Sequence, residues 1–373
     1  MFGEISEQLL ASDTAPGILT VDLRALVANY RALAARVAPA RVAGVVKADA
    51  YGLGAARVAP ALEAAGCRDF FVAQLSEALA LKPRLDADSR LYVLSGLQPG
   101  AEPACAHAGI VPVLNSLEQI AAWSRLARAR GEELPALLQF DTGMSRFGLS
   151  APEAATLSAE PSRLDGVRLL HVMSHLACAD EPGAGLNGEQ LAAMRRLSAA
   201  FPGVPVSFAN SGGVFLGPDY HGALVRPGIA LYGGAPTAGT ANPMAPVVRL
   251  DVRVVQVRTV PAGARVGYGG AHVTSGERRL ATTAAGYADG LPRALSDRGA
   301  AYWGATRLPI AGRVSMDSLT LDVTALPPGT LKPGALVEMI GAHQTLDALA
   351  ADAGTIAYEI LTGLGTRYHR VYR

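Results

Sequence analysis

Lysine is rare in this chain. Only Lys47, Lys82 and Lys332 occur, so 30 of the 33 basic residues are arginine. Lys82 and Lys332 each precede a proline, in LKPR and LKPG, and read as solvent-exposed turn residues. Lys47 differs. It ends the apolar run AGVV and is followed by ADAYGLG. A lysine at the mouth of a buried strand is expensive to bury unless it is paired or covalently used. Burial is also the usual route to a nucleophilic amine of lowered pKa. Taken alone, the position also fits, less well, a lysine that snorkels from a strand end into solvent. His171 and His175 lie four apart and would share one face of a strand, but no acidic or cysteine partner sits at ligand spacing, so no metal site is expected. Cys67, Cys105 and Cys178 are odd in number, far apart and without a C-x-x-C pair, which suits reduced thiols in a cytoplasmic protein.

The elements that must position Lys47 follow from periodicity. A chain of 373 residues is comfortable as two domains, and with 50% hydrophobic and 17% charged residues it can build large cores. The net charge of +1 gives no electrostatic reason to expect nucleic acid or an anionic membrane as partner. The first residues carry neither the basic start nor the apolar run of a signal peptide, and no stretch approaches the roughly 20 apolar residues of a membrane span. Asp22 is a candidate N-cap, followed by Leu23, Leu26, Val27, Tyr30, Leu33 and Val37 at helical spacing. ARVAGVVKA, DFFVAQ, RLYVLSG, GIVPVLNS, LPALLQFDTG, GVRLLHVMSH, VPVSFANS and ALVRPG read as strands. Helices are predicted through Glu63, over SEALALK, from Leu117 to about Arg130, and around Gln190 to Ala200. About eight strand–helix units, with strands apolar throughout, predict a parallel (β/α)8 barrel whose active site gathers at the C-terminal strand ends. After the Gly/Pro/Ala segment GGAPTAGTANPMAP the runs become β-branched and turn-separated, with one short helix near Leu346 to Asp352. The expected division is residues 1–238 as the barrel and 239–373 as a mainly antiparallel β domain.

VVKADAYGLG resembles the pyridoxal-phosphate (PLP) lysine motif of alanine racemases. DTGMSRFG, SHLACAD, NSGG, VRPGIALYG, VGYGG, GYADGLPR, GRVSMD and TIAYE follow in that family's order, so the resemblance spans Thr20 to Tyr358. It implies a PLP-binding barrel with a C-terminal β domain, and an N-terminal strand near residues 18–21 that pairs with the second domain. It implies a homodimer with shared sites that interconverts L- and D-alanine. Racemisation removes a proton from one face of Cα and returns it to the other, most simply with two bases on opposite faces of a planar intermediate.

By that resemblance Lys47 is the Schiff-base lysine and one base, and Tyr268, in VGYGG, is the other, reaching the partner's site. A free tyrosine titrates near pH 10, and the resemblance offers His175 and Arg226 as its neighbours. Arg226 would face the pyridine nitrogen, where a cation cannot accept a proton and leaves the ring a poorer electron sink. Tyr51, Ser211, Gly228, Ile229 and Tyr358 would hold the phosphate. Arg146 would contact the substrate carboxylate, joined by the backbone of Met316 from the partner, with Asp317, Tyr287 and Arg313 lining the entrance. Taken singly, each of these residues is also an ordinary turn or surface residue.

One position departs from the pattern. Many relatives carry a carbamylated lysine two residues before the DTGM aspartate, and here that position is Gln139. Its amide oxygen is expected to accept from Arg146 in the carbamate's place. Three rivals stand beside the main reading. A racemase of broader substrate range shares the lysine and fold. A related PLP decarboxylase would use a cysteine motif in the β domain, yet all three cysteines precede residue 239. A PLP carrier protein would be a barrel alone.

Overall fold

The computed structural model describes residues 12–373. Packing separates two units. One comprises Leu26–Leu231 with Ala235–Met244. The other comprises the described residues up to Ala25, Tyr232–Gly234 and Ala245–Arg373.

In the first unit seven parallel strands lie side by side in chain order: Gly44–Val45, Asp69–Val72, Arg90–Val93, Val111–Leu114, Leu134–Gln139, Val167–Met173 and Val206–Ser207. The strand Leu224–Val225 closes the ring. It pairs in parallel with Arg41–Val42 on one side. On the other, Ala223 N donates to Val206 O at 2.7 Å and Arg226 N to Ala209 O at 2.8 Å. The first strand, expected as one run over ARVAGVVKA, is therefore split at Ala43. A closed barrel staggers its strands, so the two neighbours meet this segment at different heights. The interior is packed, with Phe71 and Tyr92 stacked at 4.5 Å and both fully buried.

The helices form where caps and apolar stripes predict them. Asp22 Oδ1 accepts from Arg24 N and Ala25 N, each at 3.0 Å, and starts Leu23–Val37, which buries Leu26, Tyr30, Leu33 and Val37. Ser116 caps Leu117–Arg130 through Gln119 N, and Gly131 ends it at φ 66°. Gly185–Ser198 begins a turn earlier than expected.

The second unit is built on a largely antiparallel sheet. Val248–Val260 is its spine, burying Val248, Leu250, Val252 and Val254 in strict alternation. Gly17–Val21 pairs antiparallel with that spine and parallel with His369–Tyr372. Arg278–Thr283, Leu319–Asp322, Leu336–Ile340, Ala300–Trp303 and Thr306–Pro309 complete it. Two helices occur where one was expected. Thr345 caps Leu346–Asp352, and Ala357–Gly363 follows. The second is as short as the first but follows Ile356, with no side-chain cap to mark its start.

Candidate active site

The first unit brings Lys47, Arg146 and His175 around one cavity of about 140 Å³, lined also by Ala73, Leu94, Ser95, Gln139, Phe147 and Met173. Each lies at or just beyond the C-terminal end of a barrel strand, where connecting loops can present polar groups without breaking the apolar ladder. Lys47 follows Gly44–Val45 directly after Val46. Burial first, and the Arg146 cation second, hold its amine below the ordinary lysine range, while Glu77 pulls the other way.

His175 is pushed down to about 3, by burial first and then by the charges of Arg226, Arg146 and Lys47, so it is neutral at physiological pH. Arg226 is 3% exposed. Its guanidinium donates to Ser207 Oγ and Ser174 O, both at 2.6 Å. Burial lowers it to about 9, which leaves it a cation near neutrality. No carboxylate pairs with it among the described residues.

A cradle adjoins it. Ser211 Oγ accepts from Gly228 N at 2.9 Å and Ala230 N at 3.2 Å. Ile229 between them is buried, and its N–H has no partner among the described residues. A Cβ on Gly228 would stand 2.0 Å from Tyr51 Oη, so any larger residue there displaces the tyrosine. These groups fit PLP: a hydroxyl and backbone amides for a phosphate, a buried cation without a counter-ion, and an amine at the mouth of the same barrel. Gly228→Ala is expected to weaken PLP binding by roughly ten- to a hundredfold, because Tyr51 must move or the cradle open. Fluorescence titration of the cofactor-free protein checks this, and unchanged affinity would remove Gly228 from the cradle.

Arg146 sits on a loop that Asp141 shapes, its Oδ1 accepting from Gly143, Met144 and Ser145 amides at 2.9, 2.9 and 3.1 Å. The expected Gln139–Arg146 bond is absent. Gln139 Nε2 donates instead to Phe147 O at 3.4 Å, and the backbone of Gln139 accepts from Leu149 N at 2.8 Å. Gln139 thus braces the turn carrying Arg146 and does not bond the guanidinium, which lies over the Phe147 ring at 5.7 Å. Sequence reading also missed Gln190. Fully buried, it donates to Thr142 Oγ1 and His175 O and accepts from Ala177 N, tying the Arg146 loop to the His175 segment. A lone glutamine on an amphipathic helix carries no local signal of that role.

Deeper in the barrel His171 is 3% exposed and its Nδ1 has no partner among the described residues. Burial, with Arg41 next, lowers its pKa from 6.5 to about 4. Below pH 6.5 the unfolded chain takes up a proton that the folded chain refuses, so stability falls with falling pH at about 1.4 kcal/mol per pH unit. Denaturant midpoints measured between pH 7 and 4.5 are expected to drop, and His171→Gln to reduce that slope by one proton's share, His175 supplying a similar share that remains. An identical slope in the variant would discount His171. Cys67 and Cys105 are buried and pushed up to about 12, which leaves inert thiols.

Tyr268, Met316 and Tyr358 belong to the second unit, at 71%, 53% and 41% exposure. Tyr268 rides a tight turn after Arg265–Val266 in which Gly267 adopts φ 71° and Gly269 φ 73°. That turn packs against the Arg313 segment, where a Cβ on Gly312 would meet Val266 O at 2.8 Å. Asp297 braces the neighbourhood, bonding His272 Nδ1 at 2.7 Å and Gly312 N at 2.6 Å. Met316 and Asp317 are held by Arg367, which grips buried Asp289 with two bonds of 2.6 and 2.7 Å and Asp317 with one of 2.7 Å. Ala288 N donates to Met316 O at 3.0 Å in the same knot. Tyr287, in the turn between, is 43% exposed.

A closed parallel barrel with an amine, a guanidinium and a neutral imidazole at its mouth, in a chain that also carries a β unit, defines a PLP-type fold with amine chemistry. The N-terminal domain of alanine racemases matches residues 21–236 and the C-terminal domain residues 247–372, so the chain belongs to the alanine racemase family. It is 63% identical over 359 residues to a catabolic alanine racemase of Rhizobium johnstonii, covering 96% of this chain and 95% of that one. It is 59% identical over 371 residues to an alanine racemase of Brucella abortus, covering 96% and 94%. Among solved structures, the alanine racemase of Bartonella henselae, with covalently bound pyridoxal phosphate, superposes with a TM-score of 0.93 at 46% identity over 96% of this chain and 100% of that one. No described helix is long and apolar enough to cross a membrane.

Proposed function

We propose that this protein interconverts L- and D-alanine as a PLP-dependent racemase, with Lys47 and Tyr268 as its two bases. The observation that carries the reading is the Lys47 amine, depressed in pKa and sharing a small cavity with Arg146 and His175. When bound, PLP supplies the electron sink that acidifies the α-proton of an amino acid. Ser211, the amides of Gly228 and Ile229, Tyr51 and Tyr358 would hold its phosphate. Arg226, a permanent cation that cannot accept a proton, would leave the bound group a poorer electron sink. Arg146 binds the substrate carboxylate, and the Met316 amide adds to that contact. Lys47 Nζ takes or returns the proton on one face, helped by its lowered pKa, which leaves more of it neutral than an exposed lysine would be. Tyr268 Oη does the same on the other face, with neutral His175 beside it.

Tyr268 and Met316 are exposed on a single chain, which supports a homodimer in which each serves the partner's barrel. Three unpaired cysteines support a reducing, cytoplasmic setting. The test is incubation of PLP-loaded protein with L-alanine in D2O, with the α-proton followed by NMR and D-alanine by chiral separation. Exchange together with D-alanine is the expected result. Exchange with retention alone would mean a single working base. Neither signal would overturn the reading and favour the carrier alternative, and faster turnover of bulkier amino acids would favour the broad-range racemase.

A further inference from the structure

The segment after Lys47 is strained. Ala48, Asp49 and Ala50 sit at φ 51°, 53° and 54° with ψ near 50°, and Tyr51 follows at φ 57°. Four consecutive non-glycine residues form one left-handed turn, in which each Cβ crowds the following carbonyl oxygen. Such a conformation persists only where the surroundings impose it. Part of that constraint is local, since Gly52 N donates to Ala48 O at 2.7 Å and Asp49 Oδ1 accepts from Ala55 N at 2.7 Å. A further contact comes from the next strand–helix segment of the same barrel. Glu77, in the first turn of the helix Leu75–Leu81, uses Oε1 to accept from Ala48 N at 2.6 Å. Its Oε2 accepts from Ala73 N at 2.8 Å and Gln74 N at 3.0 Å, just past the strand Asp69–Val72. One carboxylate therefore joins the ends of two adjacent barrel strands at the residue that follows the reactive lysine.

We propose that Glu77 is a positioning residue for Lys47: its carboxylate imposes the left-handed turn that sets where the amine stands, and places an anion beside it. The proposal rests on Lys47 as the reactive amine. The charged groups that act on Lys47 are Arg146, which disfavours its protonation, and Glu77, which favours it; His175 is neutral. Charge and geometry are separable. Glu77→Gln removes the anion and turns an NH2 toward at least one backbone N–H. Glu77→Asp keeps the anion but falls one methylene short of Ala48 N.

With only three lysines in the chain, competitive reductive methylation read by peptide mass spectrometry follows each one. It is applied to the full-length protein after hydroxylamine removal of the cofactor, over a range of pH. Lys82 and Lys332 are the internal references. In Glu77→Gln the Lys47 midpoint is expected to move to lower pH while both references stay. In the loaded enzyme kcat is expected to fall roughly ten- to a hundredfold, with KM nearly unchanged, because the amine is misplaced and the substrate contacts are intact. Glu77→Asp, which keeps the charge, is expected to hold the labelling midpoint and still lose kcat. An unmoved midpoint with wild-type kcat in Glu77→Gln overturns the proposal. So does a loss of kcat in both variants that only tracks a lower folded fraction. A wild-type Lys47 that titrates like Lys82 and Lys332 would instead sink the reading of Lys47 itself.

Discussion

Lys47→Ala is expected to lower alanine racemisation by roughly 10⁴-fold or more, the upper range for losing a positioned acid–base group, and more where the same residue anchors the cofactor. The fold should survive. The side chain is half-buried at the barrel mouth and holds no buried polar partner, so the stability change should stay within about 1 kcal/mol. Lys47→Arg sharpens the test. A guanidinium keeps the positive charge but neither releases its proton in a protein nor forms the same covalent link. It is expected to be as inactive as the alanine variant, which would separate proton transfer from simple charge. Deuterium exchange at the alanine α-carbon and thermal unfolding are the two measurements. Exchange within tenfold of wild type in either variant would disprove the role given to Lys47.

Tyr268→Phe is the second large effect. It deletes one hydroxyl from a side chain 71% exposed on the single chain, so stability should be unchanged within about 0.5 kcal/mol. Loss of one of two bases is expected to reduce racemisation by about 10²–10⁴-fold. The loss should be uneven: the face served by Lys47 keeps exchanging its proton, so one enantiomer gains deuterium with its configuration retained while the other exchanges far more slowly. Equal suppression of exchange from both enantiomers would argue against a second base at this position. Mixing inactive Lys47→Ala and Tyr268→Phe proteins under conditions of subunit exchange tests whether sites are shared. A heterodimer then contains one site with both residues intact, so about a quarter of wild-type activity is expected to return. No return would leave both residues acting within one chain.

Much of this molecule is legible in its sequence, for reasons that are local. The apolar strand runs, the Asp22 and Ser116 caps and the stripe of Leu26, Tyr30, Leu33 and Val37 each act over one or two turns, and each stands where periodicity puts it. Lys47 was legible because an amine ending an apolar run is costly, and the ordered motifs from VVKADAYGLG to TIAYE sufficed for the family. The tertiary structure decided what depends on groups far apart in the chain. Glu77 reaches Ala48 across 29 residues, and Gln190 reaches Thr142 across 48. Neither lies in a pattern of its own, because a hydrogen bond to a distant backbone amide leaves no trace in spacing. Gln139 is the clearest case. Its type suggested an acceptor for Arg146, but the amide bonds to the carbonyl of Phe147, because the turn that presents Arg146 needs a brace at that point. The left-handed turn at Ala48–Tyr51 was equally hidden. Alanine, aspartate and tyrosine do not choose that conformation; bonds within the turn and the carboxylate that joins two adjacent strand ends hold them in it.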